Sequence, residues 1–94
     1  MKRAIRRWIK VNIRARPRVR SCRLIGSILS RRNGFDDVDI VLVLDAWNVR
    51  RWLPGKKAAF HLVFGKHLDV QIFHRTQIRE IRRFLTFAGH NSEI

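Results

Sequence analysis

Two aspartates stand two positions apart at the start of an apolar run, in the segment Asp37-Val38-Asp39. The run continues through residues 40–44 as Ile-Val-Leu-Val-Leu, a pattern that indicates a β-strand. Residues two apart in a strand project from the same face, so the two carboxylates are expected to lie side by side. Carboxylates in that arrangement repel each other unless a cation lies between them. A hard divalent ion, Mg²⁺ first, is the expected partner of the pair.

Two further features bear on the same chemistry. Asp69 interrupts an apolar run over 67–74, and a carboxylate in such a run needs a partner or a metal. Gly26-Ser27 follows the apolar end of another strand and is expected to begin a short phosphate-binding helix that runs to about Arg32. Serine is also an ordinary helix cap, so this signal is weak when taken alone. Metal and phosphate together indicate a nucleotide site.

A large excess of positive charge is the most unusual bulk property of the chain. Its 94 residues include 21 Lys and Arg against 7 Asp and Glu, which gives a formal net charge of +14. This excess favours a polyanionic partner, with nucleic acid first, and a solvated basic face is the alternative. Four of the seven acids lie in or beside one strand, which favours a site over surface solubility: Asp36, Asp37, Asp39 and Asp45.

The composition argues against several classes of protein. With 46% hydrophobic residues, the chain is expected to fold rather than to remain disordered. No apolar run approaches the roughly 20 residues that span a bilayer, and no signal-peptide core follows the basic N-terminus. The single cysteine, Cys22, excludes a disulfide framework and is expected to be a buried small hydrophobe. The expected location is the cytoplasm, and the expected organisation is a single domain over 1–94 with its core at 19–88.

The apolar periodicity predicts three strands that alternate with helices. Strands are predicted over 19–25, 37–44 and 67–74. Helices are predicted over 2–13, over 56–64 with Gly65 as the C-cap, and from a Thr76 cap to about 87 with Gly89 at its end. The last helix is predicted to bury a stripe made of Ile78, Ile81, Phe84, Leu85 and Ala88.

The basic N-terminal helix admits more than one interpretation. Ile5, Trp8, Ile9 and Ile13 form an apolar stripe in an arginine-rich segment without acids, which is also typical of transit peptides and membrane-surface helices. Packing on the sheet is favoured, because Trp8 is a large core anchor. Three other aromatic residues are predicted to be core or sheet-cover residues rather than base-stacking platforms: Trp47, Trp52 and Phe60.

The motifs together resemble a known family. Gly26-Ser27, the strand opening at Asp37-Val38-Asp39 and the later Leu68-Asp69-Val70 resemble the minimal nucleotidyltransferase domain of the polymerase-β-like nucleotidyltransferase superfamily. The resemblance covers about residues 19–88. It implies an α/β (α+β) fold in which helices flank a small mixed sheet of three or more strands. It also implies a Mg²⁺-dependent site with two ions, and an NTP, expected to be ATP, as the donor. The acceptor hydroxyl then attacks the α-phosphorus and pyrophosphate leaves.

The resemblance also implies a role for each motif residue. Asp37 and Asp39 would hold the metal ions, while Asp69 would complete the second metal position and help to activate the attacking hydroxyl. The implied nucleotide- and phosphate-binding residues are Gly26, Ser27, Arg31 and Arg32.

The expected function follows from these roles. It is the transfer of an NMP, expected to be AMP, to a hydroxyl of a protein or an RNA, with the protein acceptor being the partner chain of a toxin–antitoxin pair. A partner chain or the basic face is expected to supply the acceptor-binding surface. The alternative is a catalytically inactive, basic nucleic-acid-binding domain of the same fold.

Overall fold

The computed structural model describes residues 1–30 and 34–94. Along the chain these form α1 (Lys2–Ile9) with a π-helical continuation (Lys10–Arg14), β1 (Val19–Ile25), a 3₁₀ turn (Gly26–Leu29), β2 (Asp37–Leu44), a second 3₁₀ turn (Val49–Arg51), α2 (Leu53–Phe64), β3 (His67–His74), α3 (Ile78–Ala88) and β4 (Asn91–Glu93). The three predicted strands have the predicted bounds, and the expected α/β class is confirmed.

The strands form one mixed sheet in the order β3-β2-β1-β4. β1 is antiparallel to both β2 and β4, whereas β2 and β3 are parallel. Parallel neighbours need a crossover connection, and α2 provides it between β2 and β3. Consequently the first residues of β2 and β3 lie at the same end of the sheet, beside the last residues of β1.

One face of the sheet carries the main hydrophobic core. α1 contributes Ile5 and Ile9, both fully buried, and α2 contributes Phe60. Trp8 packs edge-on against Phe60, with 5.3 Å between ring centroids. The prediction that the N-terminal helix packs on the sheet is therefore confirmed. The strand residues of this core come from alternating positions: Cys22, Leu24, Ile40, Leu42, Leu44 and Leu68.

The opposite face is covered less completely by α3. Phe84 of α3 meets Phe73 of β3 with 5.6 Å between ring centroids, but no residue of α3 is fully buried and Ile78 remains 57% exposed. The predicted stripe is therefore confirmed only in part: Ile81, Phe84, Leu85 and Ala88 are half-buried, whereas Ile78 is exposed. Thr76 is not the cap. The cap position is Gln77, whose Oε1 accepts a hydrogen bond from the His74 N–H at 2.8 Å.

β4 was not predicted, and contacts distant in sequence hold it in place. The Arg6 guanidinium of α1 donates to Ser92 Oγ at 2.8 Å and to the Glu93 carbonyl at 3.1 Å. A strand made of Asn91, Ser92 and Glu93 has no apolar alternation that a sequence pattern could reveal.

The helix boundaries differ slightly from the predictions. The first helix ends at Arg14 rather than about residue 13, through a π-helical turn, and α2 begins at Leu53, three residues early, because Pro54 is tolerated in a first turn. Gly65 closes α2 in the left-handed conformation, as predicted. Within residues 1–30 and 34–94, no helix combines the length and apolarity needed to cross a membrane.

Candidate active site

The pairing of β2 with β3 brings the three predicted catalytic aspartates together. Asp39 is the direct partner of Asp69, and Asp37 is the partner of His67, two positions earlier on each strand. Directly paired residues of neighbouring strands point to the same face, as do residues two apart in one strand. Asp37, Asp39 and Asp69 therefore lie on one face of the sheet, at the end where β2 and β3 begin. Their function remains a prediction, but the arrangement it requires is present.

The aspartates lie on the face opposite the main core. The neighbours of Asp39 along β2, Val38 and Ile40, belong to the core cluster, so the Asp39 side chain points to the α3 side. Asp39 is half-buried, whereas Asp37 and Asp69 are exposed. The cluster is thus open to solvent and to a ligand at its rim, with its innermost carboxylate partly enclosed.

Gly26 lies directly against this cluster. β1 pairs with β2 so that Ile25 is opposite Asp39, and the chain turns at the next residue, where Gly26 has φ +78°. A Cβ atom at Gly26 would lie 2.7 Å from Oδ2 of Asp39. Only glycine satisfies both the left-handed backbone and the close approach. The Gly-Ser turn and the Asp-x-Asp strand start therefore form one local structure.

Phosphate binding by Gly26 and Ser27 stays a prediction, and the structure gives only their positions. Gly26 and Ser27 lie beside the aspartates, and Ser27 is exposed. They open a 3₁₀ turn of four residues, not a helix that reaches Arg32, because Ser30 is extended with ψ 162°. So short a turn has no developed helix dipole, and phosphate binding here would rest on the Ser27 N–H and hydroxyl. The two other residues predicted for phosphate binding, Arg31 and Arg32, lie outside the described residues.

Unbalanced negative charge characterises the cluster. Partial burial raises the pKa of Asp39 above its usual value, and the neighbouring carboxylates of Asp69 and Asp37 raise it further, as does a hydrogen bond with Asp69. In the described part of the chain, none of the three forms an ion pair; the ion-paired acids are Asp45 and Glu93. A chain with net charge +14 therefore leaves its three clustered carboxylates without a described counter-charge.

The donor set suits a hard divalent cation. Asp39 and Asp69 are directly paired across two neighbouring strands. Among the described residues, no three His, Cys, Asp or Glu side chains converge on a single point. Mg²⁺ does not require such convergence, since it is commonly held by one or two carboxylates and completes its shell with water and substrate phosphates. The residues present thus fit Mg²⁺ held by one or two of these carboxylates.

One basic residue of the same face was not predicted as part of the site. Arg23 precedes Ile25 by two positions in β1 and pairs with Val41, so it projects on the aspartate side. Its guanidinium is held by Asn91 Oδ1 at 2.9 Å and by Glu93 at 3.8 Å. The only sequence signal was its alternation with Ile25; its anchoring by β4 could not be foreseen because β4 was not predicted.

Comparison with known proteins gives one structural relative. No family profile matches the chain, and no curated protein sequence is similar to it. A chain from the crystal structure of the toxin–antitoxin complex MntA–HpeT, in a variant with two Asp→Glu substitutions, superposes with a TM-score of 0.52 and 15% sequence identity. The match covers 97% of this chain and 71% of that one. The likeness extends over the whole fold, and the expected α/β architecture with a small mixed sheet is confirmed.

Proposed function

We propose that this protein is a Mg²⁺-dependent nucleotidyltransferase that transfers AMP from ATP to a hydroxyl group of a protein or an RNA. The observation that carries the proposal is the direct pairing of Asp39 with Asp69 across two parallel strands, with Asp37 on the same face. The approach of Gly26 to Asp39 supports it, because it sets a turn suited to phosphate beside the carboxylates.

The residues divide the work by position. Asp37 and Asp39, on one strand, would hold the metal, and Gly26 with Ser27 would orient the β- and γ-phosphates. Bound Mg²⁺ supplies positive charge for the triphosphate and for the pyrophosphate that leaves. Asp69, on the exposed edge strand, lies where an acceptor can approach. Its carboxylate accepts the proton of the acceptor hydroxyl while the acceptor oxygen bonds to the α-phosphorus and the bond from that phosphorus to the bridging oxygen breaks.

A second chain is the proposed source of the acceptor. The structural relative belongs to a toxin–antitoxin complex, which supports the proposal that this protein acts on, or together with, a partner protein. An RNA hydroxyl is the other acceptor, and the net charge of +14 supports it.

Transfer of label from α-³²P-ATP tests the activity. The purified protein is incubated with MgCl₂, labelled ATP and a cell extract that supplies acceptors, and the protein and RNA fractions are then separated. We expect label in one fraction, dependent on Mg²⁺ and reduced at least 100-fold in D39N and D69N. E80Q is the control, since it removes an exposed carboxylate of α3. Equal labelling by D39N and the native protein would eliminate the assigned site. No labelling by any variant would favour the basic, inactive alternative.

A further inference from the structure

An exposed tryptophan lies at the end of the sheet where β2 and β3 terminate, opposite the end that carries the aspartates. Trp47, predicted to be a core or sheet-cover residue, is 61% exposed, whereas Phe60 is fully buried and Trp52 packs against the core. Trp47 follows the end of β2, and its ring stacks on His74 at the end of β3 with 5.8 Å between centroids and 23° between planes. His74 lies five positions after Asp69 in β3, a distance of about 17 Å.

The ring beneath Trp47 is fixed in place. The Nε2–H of His74 donates to the Asp45 carbonyl at 3.2 Å, since a carbonyl only accepts. Its Nδ1 accepts from the Thr76 N–H at 3.3 Å and lies 2.8 Å from the Thr76 hydroxyl. With both nitrogens engaged, the imidazole cannot rotate freely. One face of Trp47 is therefore supported by a fixed ring, and the side chain remains largely open to solvent.

Two arginines are joined to this aromatic stack through Asp45. Arg20 and Arg75 both form ion pairs with the same oxygen of Asp45, each at 3.5 Å, while their side chains stay 63% and 53% exposed. One carboxylate cannot neutralise two guanidinium groups, so a positive charge remains. Exposed Arg18 lies in the turn before β1, and its carbonyl accepts a hydrogen bond from the Asp45 N–H. The surface thus combines a supported aromatic plane with unneutralised cations.

We propose that this surface is a binding site for single-stranded nucleic acid, in which an unpaired base stacks on Trp47 and the flanking phosphates contact Arg20 and Arg75. Base stacking on an exposed aromatic ring next to basic side chains is the usual way in which proteins hold single strands without reading sequence. A duplex does not offer an unpaired base face, so the proposal is specific to single strands. The site is separate from the aspartate cluster and does not depend on nucleotidyl transfer.

Fluorescence anisotropy with short, fluorescein-labelled oligo(U) and oligo(dT) tests the proposal on the full chain. We expect W47A to bind about tenfold more weakly with both probes, because every base has a π-face and stacking on one ring is commonly worth that much. W47F should retain most of the affinity. F87A is the matched control, since it removes another exposed aromatic ring: Phe87 on α3 is 88% exposed. With a duplex of the same length, W47A and the native protein should bind equally.

The arginines are tested by charge-matched variants. R75Q should weaken binding and reduce the slope of log affinity against log salt by about one, because one phosphate contact is lost. R79Q removes the same charge from α3 and should change the slope less. The proposal is overturned if W47A binds oligo(U) and oligo(dT) as the native protein does, or if F87A loses as much affinity. D39N should bind at least as tightly as the native protein, so failure here and failure of the transfer assay are distinguishable.

Discussion

A Cβ atom added at Gly26 would come within 2.7 Å of Oδ2 of Asp39. The contact joins the end of β1 to the start of β2, because Ile25 and Asp39 are paired in the sheet. Two sequence motifs about a dozen positions apart therefore constrain each other sterically. A side chain at position 26 would collide with the Asp39 carboxylate, so glycine is needed there. The carboxylate in turn lies beside the turn that is proposed to bind phosphate.

Replacing this glycine should damage the site more than the fold. G26A places a side chain at a positive φ, which costs about 1 kcal/mol, and it must also displace the Asp39 carboxylate. We expect the loss of unfolding free energy to be about 1–2 kcal/mol and the transfer of label to fall at least tenfold. G89A is the control: Gly89 has the same φ of +78° but no heavy atom within 4 Å of its added Cβ. If G89A and G26A lost activity equally, backbone strain alone would account for the loss.

Charge repulsion in the cluster leads to a second prediction. Asp39 faces Asp69 directly across the sheet, and the pKa of Asp39 is raised by its partial burial and by its acidic neighbours. In the absence of divalent ions, D39N should therefore unfold at a higher temperature than the native protein, with a gain of about 0.5–1 kcal/mol.

Differential scanning calorimetry checks this prediction in EDTA and in MgCl₂. Mg²⁺ should raise the Tm of the native protein and raise that of D39N much less, because the variant has lost half of the closest carboxylate pair. D36N is the matched control, since Asp36 is exposed and immediately precedes β2. A D39N protein less stable than the native one in EDTA would contradict the repulsion argument.

The parts of the fold that could be predicted are those with a local pattern. β1, β2 and β3 were placed at their observed bounds because apolar and polar residues alternate, or run continuously, between clear breaks. The shared face of Asp37 and Asp39 follows from strand geometry alone. That Asp69 joins them required the parallel register of β2 and β3, which no local pattern specifies.

The parts that could not be predicted depend on contacts distant in sequence. β4 exists because Arg6 and Arg23 hold Ser92 and Asn91. The exposure of Trp47 follows from its position past the end of β2, where the stack on His74 replaces core packing. A large aromatic residue is more often buried than not, so composition favoured the wrong interpretation there.

Burial of the only cysteine makes alkaline stability a sensitive test of the core. Burial raises the pKa of the Cys22 thiol from 9.0 to about 12, although Arg14 partly opposes the shift. Above pH 9.0 the unfolded chain releases this proton while the folded chain keeps it, so the unfolding free energy must fall as the pH rises towards 12. The thiol contributes a slope of up to about 1.4 kcal/mol per pH unit in that interval.

C22A should lack this slope, and its stability should approach that of the native protein between pH 9 and pH 11 in urea titrations. Parallel curves of unfolding free energy against pH for the two proteins would contradict this prediction. They would mean that the thiol ionises equally in the folded and unfolded states, and that Cys22 is not buried in the core between the sheet and α1.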